Sequence, residues 1–99
     1  MRQTSLMNTM YKQFDPFLDI LPSIDVHGLT DDTVMTFVND FIYENYRLGK
    51  EKVCVIHGKG AGILRKRIHN DLKRNKYVKD FYLYNMNIGC TIIELKKEV

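Results

Sequence analysis

Two His-Gly dipeptides carry the polar residues best placed to do chemistry in this 99-residue sequence. The first, His27-Gly28, comes two residues after Asp25, and the second, His57-Gly58, follows a short apolar run. Side chains two residues apart in a strand project from the same face, so a carboxylate and an imidazole at this spacing can share a proton. We therefore take Asp25, His27 and His57 as candidate proton-transfer residues.

The second dipeptide also begins a glycine-rich segment, residues 58–62, that precedes a predicted helix. Closely spaced glycines let backbone N–H groups approach an anion, and the helix N-terminus adds positive potential. The spacing matches neither a Walker A loop nor a dinucleotide fingerprint, so a nucleotide cofactor is not indicated. The segment instead predicts a phosphate site, with the candidate binding residues Gly58, Lys59, Gly60, Gly62, Arg65 and Lys66.

Charge is distributed unevenly along the chain, whose net charge is only +3. Residues 1–46 hold two basic and seven acidic residues, whereas residues 47–79 hold eleven basic and two acidic residues. A basic middle third is typical of a protein that binds a phosphate backbone, although a solvated helix face gives the same pattern. No apolar run approaches the roughly 20 residues that a membrane span needs, so we expect a nucleic-acid partner and no membrane.

The elements that must position these residues follow from hydrophobic periodicity. Strands are predicted at 23–27, 53–56, 78–83 and 90–95, helices at about 31–48 and 63–75, and a turn at 85–89. This β-α-β-α-β-β order predicts an α/β fold with a mixed sheet. Residues 1–22 are predicted to be a partly disordered N-terminal extension, and residues 23–97 the domain.

Two further expectations concern single residues. Cys54 and Cys90 each lie within an apolar run, which favours core thiols in a cytoplasmic protein over a disulfide framework. His69 lies among polar residues of the second helix, so it is expected to be exposed. The sequence does not fix the oligomeric state, and a monomer is favoured.

Three segments together resemble the small MutS-related, or Smr, domain: IDVHG at 24–28, HGKGAGILR at 57–65 and TIIEL at 91–95. The resemblance covers about residues 22–97 and is to a stand-alone Smr protein. It implies a two-layer α/β sandwich like the C-terminal domain of translation initiation factor three. It also implies an endonuclease or nickase acting on DNA or RNA, in recombination and repair or at ribosomes.

Phosphodiester cleavage needs a base, an acid and cations for the phosphoryl charge. Asp25 would act as a base or orient His27, and His27 and His57 would exchange protons. In a metal-dependent alternative, Asp25 with His27 or His57 holds Mg²⁺ or Mn²⁺. In a structural alternative the first pair only caps a turn and His57 is a satisfied buried histidine. The remaining alternative is a non-catalytic module that binds nucleic acid or the ribosome through the same turn.

Overall fold

The computed structural model describes residues 21–60, 62–84 and 87–97. The described elements are β1 (Ser23–Asp25), α1 (Val34–Arg47), β2 (Lys52–Ile56), α2 (Ile63–Leu72), β3 (Val78–Tyr84) and β4 (Asn87–Leu95). They form one four-stranded sheet in the order β1-β2-β4-β3, in which only β1 and β2 run parallel. The predicted mixed α/β fold is confirmed. Apart from residues 21 and 22, the predicted N-terminal extension lies outside the described residues.

Both helices pack on one face of the sheet, which gives two layers. Alternate residues of β2 and β4 point toward the helices because successive strand residues face opposite sides. The resulting core combines sheet residues Val53, Val55, Ile93 and Leu95 with helix residues Val34, Val38, Ile42, Ile68 and Leu72. Burying this apolar surface is what holds α2, and hence the turn before it, against the sheet.

The intervening residues of the same two strands form a second cluster on the other face. It contains Cys54, Ile56, Cys90 and Ile92, with Leu21 and Tyr84 packed against it. Both cysteines are at most 1% exposed, as expected for core thiols. β2 is therefore buried on both faces, in agreement with its unbroken apolar sequence.

The predicted start of the first helix was three residues too early. Thr30 does not cap α1, because its hydroxyl donates to Asp32 Oδ1 at 2.5 Å instead of accepting a backbone N–H. Its carbonyl accepts from the N–H groups of Thr33 and Val34, so residues 30–33 form a turn before the helix. At the other end α1 stops before Gly49 (φ +78°), as predicted.

Other predicted boundaries also shift. β1 ends at Asp25 rather than His27, because the Leu29 N–H turns back to Val26 O at 3.1 Å. β4 begins at Asn87, which pairs with Tyr84, so the turn predicted at 85–89 is shorter. α2 ends at Leu72 and a turn carries the chain to residue 75. At the two strand boundaries, backbone hydrogen bonds override local residue preference.

Candidate functional site

The two His-Gly junctions lie side by side at the carboxyl ends of the parallel strands β1 and β2. Asp25 is in register with Ile56, and the Val26 N–H donates to Ile56 O at 2.8 Å. A Cβ built on Gly58 would lie 3.4 Å from His27 Cβ, so the two junctions are close neighbours with little space between them. Open α/β sheets commonly bind ligands at this edge.

Asp25 and His27 form a close pair at the protein surface. Asp25 Oδ1 lies 2.5 Å from His27 Nδ1 and also accepts the His27 backbone N–H at 3.1 Å. The His27 side chain is 62% exposed, whereas that of Asp25 is 17% exposed. The hydrogen bond and the charge of Asp25 raise the pKa of His27 above its usual value. With Nδ1 bonded to Asp25, Nε2 is the ring nitrogen that can exchange a proton with a substrate.

The glycine-rich turn leaves the N-terminus of α2 without a side-chain cap. Gly62 precedes the helix in a left-handed conformation (φ +84°), and the first helical turn holds no acidic residue. A Cβ on Gly62 would lie 2.8 Å from Nη2 of Arg65, so this guanidinium folds back over the turn. Uncapped helix amides and a cation above them are complementary to an anion. Lys59 and Lys66 flank this segment and are exposed.

One predicted phosphate donor is already used inside the fold. The Gly58 N–H donates to Gly89 O at 3.0 Å, and the His57 N–H donates to the same carbonyl at 2.9 Å. The amide of Gly58 is thus not available to an anion. Its left-handed φ of +83° gives this glycine a conformational role at the start of the turn instead.

His57 lies beneath the turn rather than beside His27 at the surface. Its residue is 4% exposed, Nδ1 is 2.9 Å from Gly58 O, and Nε2 is 2.8 Å from Thr91 Oγ1. Burial, together with the nearby charge of Arg65, lowers the pKa of His57. With both ring nitrogens bonded to the protein, His57 is not positioned to exchange a proton with a substrate. The structural alternative describes its surroundings better.

The expectation that His69 is merely exposed was wrong. Its Nε2 lies 2.7 Å from Thr91 Oγ1, and its ring packs edge-on against Phe81 with centroids 5.0 Å apart. Burial is the main cause that lowers its pKa. The local pattern of α2 hides this contact, since the partner is on β4. The signal in the sequence was Thr91, a polar residue in an apolar strand, because buried hydroxyls require partners.

The geometry limits the predicted metal alternative. In the part of the chain that the structure describes, no three His, Cys, Asp or Glu side chains are grouped to hold a metal ion. Since both ring nitrogens of His57 have protein partners, only Asp25 and His27 remain from the predicted ligands. We therefore route no chemical step through a metal.

This domain combines a glycine-rich turn and a carboxylate–histidine pair at one edge of a four-stranded mixed sheet. The sequence model of the Smr domain matches residues 24–96. The chain belongs to the Smr domain family.

Curated relatives and solved structures agree with this assignment. The chain is 42% identical over 79 residues to Endonuclease MutS2 of Caldanaerobacter subterraneus subsp. tengcongensis, covering 77% of this chain but 10% of that protein. It is 30% identical to the Smr domain of Thermus thermophilus MutS2, with a TM-score of 0.75 over 77% of this chain and 99% of that domain.

A further solved structure shares the fold. The stand-alone small MutS-related protein YdaL of Escherichia coli has a TM-score of 0.69 at 21% identity, over 76% of this chain and 64% of YdaL. The chain thus spans most of a solved Smr domain but about a tenth of the curated MutS2 proteins. None of the helices described is long and apolar enough to span a membrane.

Proposed function

We propose that this protein is a nucleic-acid endonuclease or nickase that cleaves a phosphodiester bond held at the glycine-rich turn. The observation that carries the proposal is the close approach of the two junctions, which places the exposed Asp25–His27 pair beside Gly58. A phosphate at the N-terminus of α2 would then lie beside the imidazole. The curated relatives are named endonucleases, which supports the same activity in this chain.

In this proposal His27 transfers the proton, and Asp25 orients the His27 ring. The raised pKa keeps more of the imidazole protonated near neutral pH, which suits a general acid that protonates the leaving oxygen from Nε2. Asp25 holds the ring through Nδ1 and stabilises its positive charge. Lys59, Arg65 and the first amides of α2 stabilise the negative charge that develops on the phosphoryl oxygens.

The nucleophile depends on the substrate. In RNA the 2′-oxygen attacks phosphorus and loses its proton to solvent water. A cyclic phosphate forms as the bond to the 5′-oxygen breaks and that oxygen takes the His27 proton. DNA has no 2′-hydroxyl, so water must attack phosphorus instead, and no cyclic phosphate can form. The products therefore separate the two substrates.

The test is incubation of the protein with labelled RNA and with supercoiled plasmid, each with EDTA, Mg²⁺ or Mn²⁺. We expect cleavage of at least one substrate, and its loss in the double variant Asp25→Ala/His27→Ala with binding retained. Asp31→Asn is the matched control, because it removes an exposed carboxylate from the same junction without touching the pair.

The second candidate is a module that binds nucleic acid or the ribosome without cutting. Exposed cations on α2 and in the turn after it, Lys66, Lys73 and Arg74, would serve binding equally well. Wild-type protein that binds either nucleic acid but cuts neither under all three ionic conditions would establish this function and exclude the nuclease.

A further inference from the structure

Three side chains from three elements connect the helix layer to the glycine-rich turn. His69 of α2 and His57, which follows β2, both place Nε2 on the Thr91 hydroxyl of β4, at 2.7 and 2.8 Å. His57 Nδ1 continues to Gly58 O at 2.9 Å. We propose that this chain of hydrogen bonds, the positioning chain, fixes the Gly58–Lys59 peptide so that the Lys59 N–H is presented to a phosphate.

The direction of every bond in the positioning chain can be deduced. A carbonyl only accepts, so His57 Nδ1 must carry the hydrogen that is donated to Gly58 O. Nε2 of neutral His57 is then an acceptor, and the Thr91 hydroxyl must donate to it. That hydroxyl has a single hydrogen, so His69 Nε2 must donate to Thr91 Oγ1. Burial lowers the pKa of both histidines and so favours the neutral rings that this assignment requires.

The last bond in the chain determines which way the next peptide group points. In a trans peptide the C=O and the following N–H point in opposite directions, and the protein has no cis peptide bond in its described part. Because Gly58 O is held toward His57, the Lys59 N–H is directed away from the His57 ring. A flip of this peptide would turn the amide inward and leave a carbonyl dipole where the phosphate should bind.

The peptide group on the other side of Gly58 is held as well. The Gly58 N–H donates to Gly89 O, so both polar groups of this glycine are bonded to the protein. A glycine can change φ and ψ at little steric cost, which makes such restraint necessary for a single turn conformation. The positioning chain therefore supplies rigidity that the glycine-rich sequence lacks.

Packing alone does not require a hydroxyl at position 91. Thr91 is fully buried on β4, between β2 and β3 in the sheet and on the side that faces the helices, where valine has the same shape. Burying a hydroxyl is unfavourable unless it is hydrogen-bonded, and here it serves two imidazoles at once. We infer that His57, His69 and Thr91 are positioning residues that act through the Lys59 amide.

The first arm of the test needs no nucleic acid. Long-range ¹H–¹⁵N spectra of the imidazole rings should show His57 protonated at Nδ1 and His69 protonated at Nε2. Thr91→Val should change the residual dipolar coupling of the Lys59 N–H, because the Gly58–Lys59 peptide loses its fixed orientation. Thr91→Ser keeps the hydroxyl and should retain the wild-type coupling. The opposite His57 tautomer, or an unchanged coupling in Thr91→Val, would overturn the positioning chain.

The second arm rests on the proposed function and measures binding of a fluorescein-labelled RNA and of the same sequence as DNA. Thr91→Val and His69→Leu should each weaken binding about 2- to 10-fold, the range expected for one hydrogen bond. Thr91→Ser and His69→Gln, which keep the hydroxyl and the donor, should restore it. Ile93→Val removes a methylene from the same buried face of β4 and controls for lost stability.

The two proposals fail in different ways. Wild-type protein that binds neither probe contradicts the proposed function. The imidazole spectra and the Lys59 dipolar coupling would still show whether the positioning chain fixes the Gly58–Lys59 peptide. If the probes bind and Thr91→Val binds as tightly as wild type, the positioning chain is structural only and this inference is wrong.

Discussion

The two strand-to-helix junctions begin alike and then differ in charge. Each has a histidine followed by a glycine with positive φ, at the end of neighbouring parallel strands. Between β1 and α1 the chain continues with Asp31 and Asp32, and hydroxyls bond to one another and to a carboxylate. Between β2 and α2 no acidic residue is present, and Lys59 and Arg65 surround the turn.

Under the proposed function, this difference gives each junction a separate role. Carboxylates before a helix N-terminus complement its dipole and repel phosphate, so the first junction suits proton transfer rather than anion binding. The second junction has the same dipole without the carboxylates, and only an external anion can complement it. The histidines differ accordingly, since His27 is exposed with a raised pKa and His57 is buried with a lowered pKa.

The largest expected effect comes from a single substitution at the first junction, which should lower the cleavage rate and leave nucleic-acid binding unchanged. His27→Ala should lower the single-turnover cleavage rate by about 10²- to 10⁴-fold, the usual contribution of one proton-transfer group. Its dissociation constant for nucleic acid should stay close to that of wild type, since His27 is not a phosphate ligand in this scheme. Quench-flow rates and fluorescence anisotropy measure the two quantities. Equal losses in cleavage rate and in affinity would show that the two junctions do not have separate roles.

Two glycines of the second junction should respond differently to alanine. Gly62→Ala places a Cβ at φ +84° and 2.8 Å from Arg65 Nη2, so it should lose about 1–2 kcal/mol of unfolding free energy and also weaken binding. Gly60 has open space around its Cβ position and no positive φ. Gly60→Ala should therefore keep wild-type stability in urea and weaken binding about tenfold by blocking close approach of the phosphate.

The bulkier Gly60→Val should impair binding and cleavage further. A Gly60→Val variant with wild-type affinity would show that phosphate does not approach the turn there.

The salt dependence of binding should distinguish the charges of the second junction from basic residues elsewhere. Lys59→Ala should reduce the slope of log affinity against log salt by about one unit, because one phosphate contact is lost. Lys79 is exposed on β3, beside Val78, which pairs with Leu95 at the end of β4 away from the turn. Lys79→Ala should leave the slope unchanged, and equal slopes for all three proteins would contradict a localised phosphate contact.

The smallest effect concerns pH. His27 should titrate above about 6.5, and His57 and His69 below it, in NMR titrations of the ring protons. Because the folded state binds protons to His57 and His69 less readily than the unfolded chain does, stability should fall as pH drops below about 6.5. The raised pKa of His27 acts oppositely, but solvent screening at this exposed side chain makes that contribution small. Urea unfolding at several pH values checks the sign, and greater stability in acid would contradict it.

Local sequence patterns determined the elements of this protein. The apolar run of β2 and the helical spacing of Val34, Val38 and Ile42 depend on neighbours in the chain, so both could be predicted. The motifs at residues 24–28 and 57–65 likewise indicated the Smr family, in agreement with the family match over residues 24–96. Boundaries were less accurate where pairing between strands extended an element, as at Asn87.

The surroundings of each histidine depend on the tertiary structure. The sequence presents His27 and His57 in the same local setting, yet one pairs with Asp25 at the surface and the other is covered by α2 and β4. His69 looks exposed in its helix and is drawn inward by Thr91, 22 residues away. Burial and the partners of a ring nitrogen come from strand pairing and helix packing between distant segments. Those contacts set the pKa and the tautomer of each ring, and no local pattern encodes them.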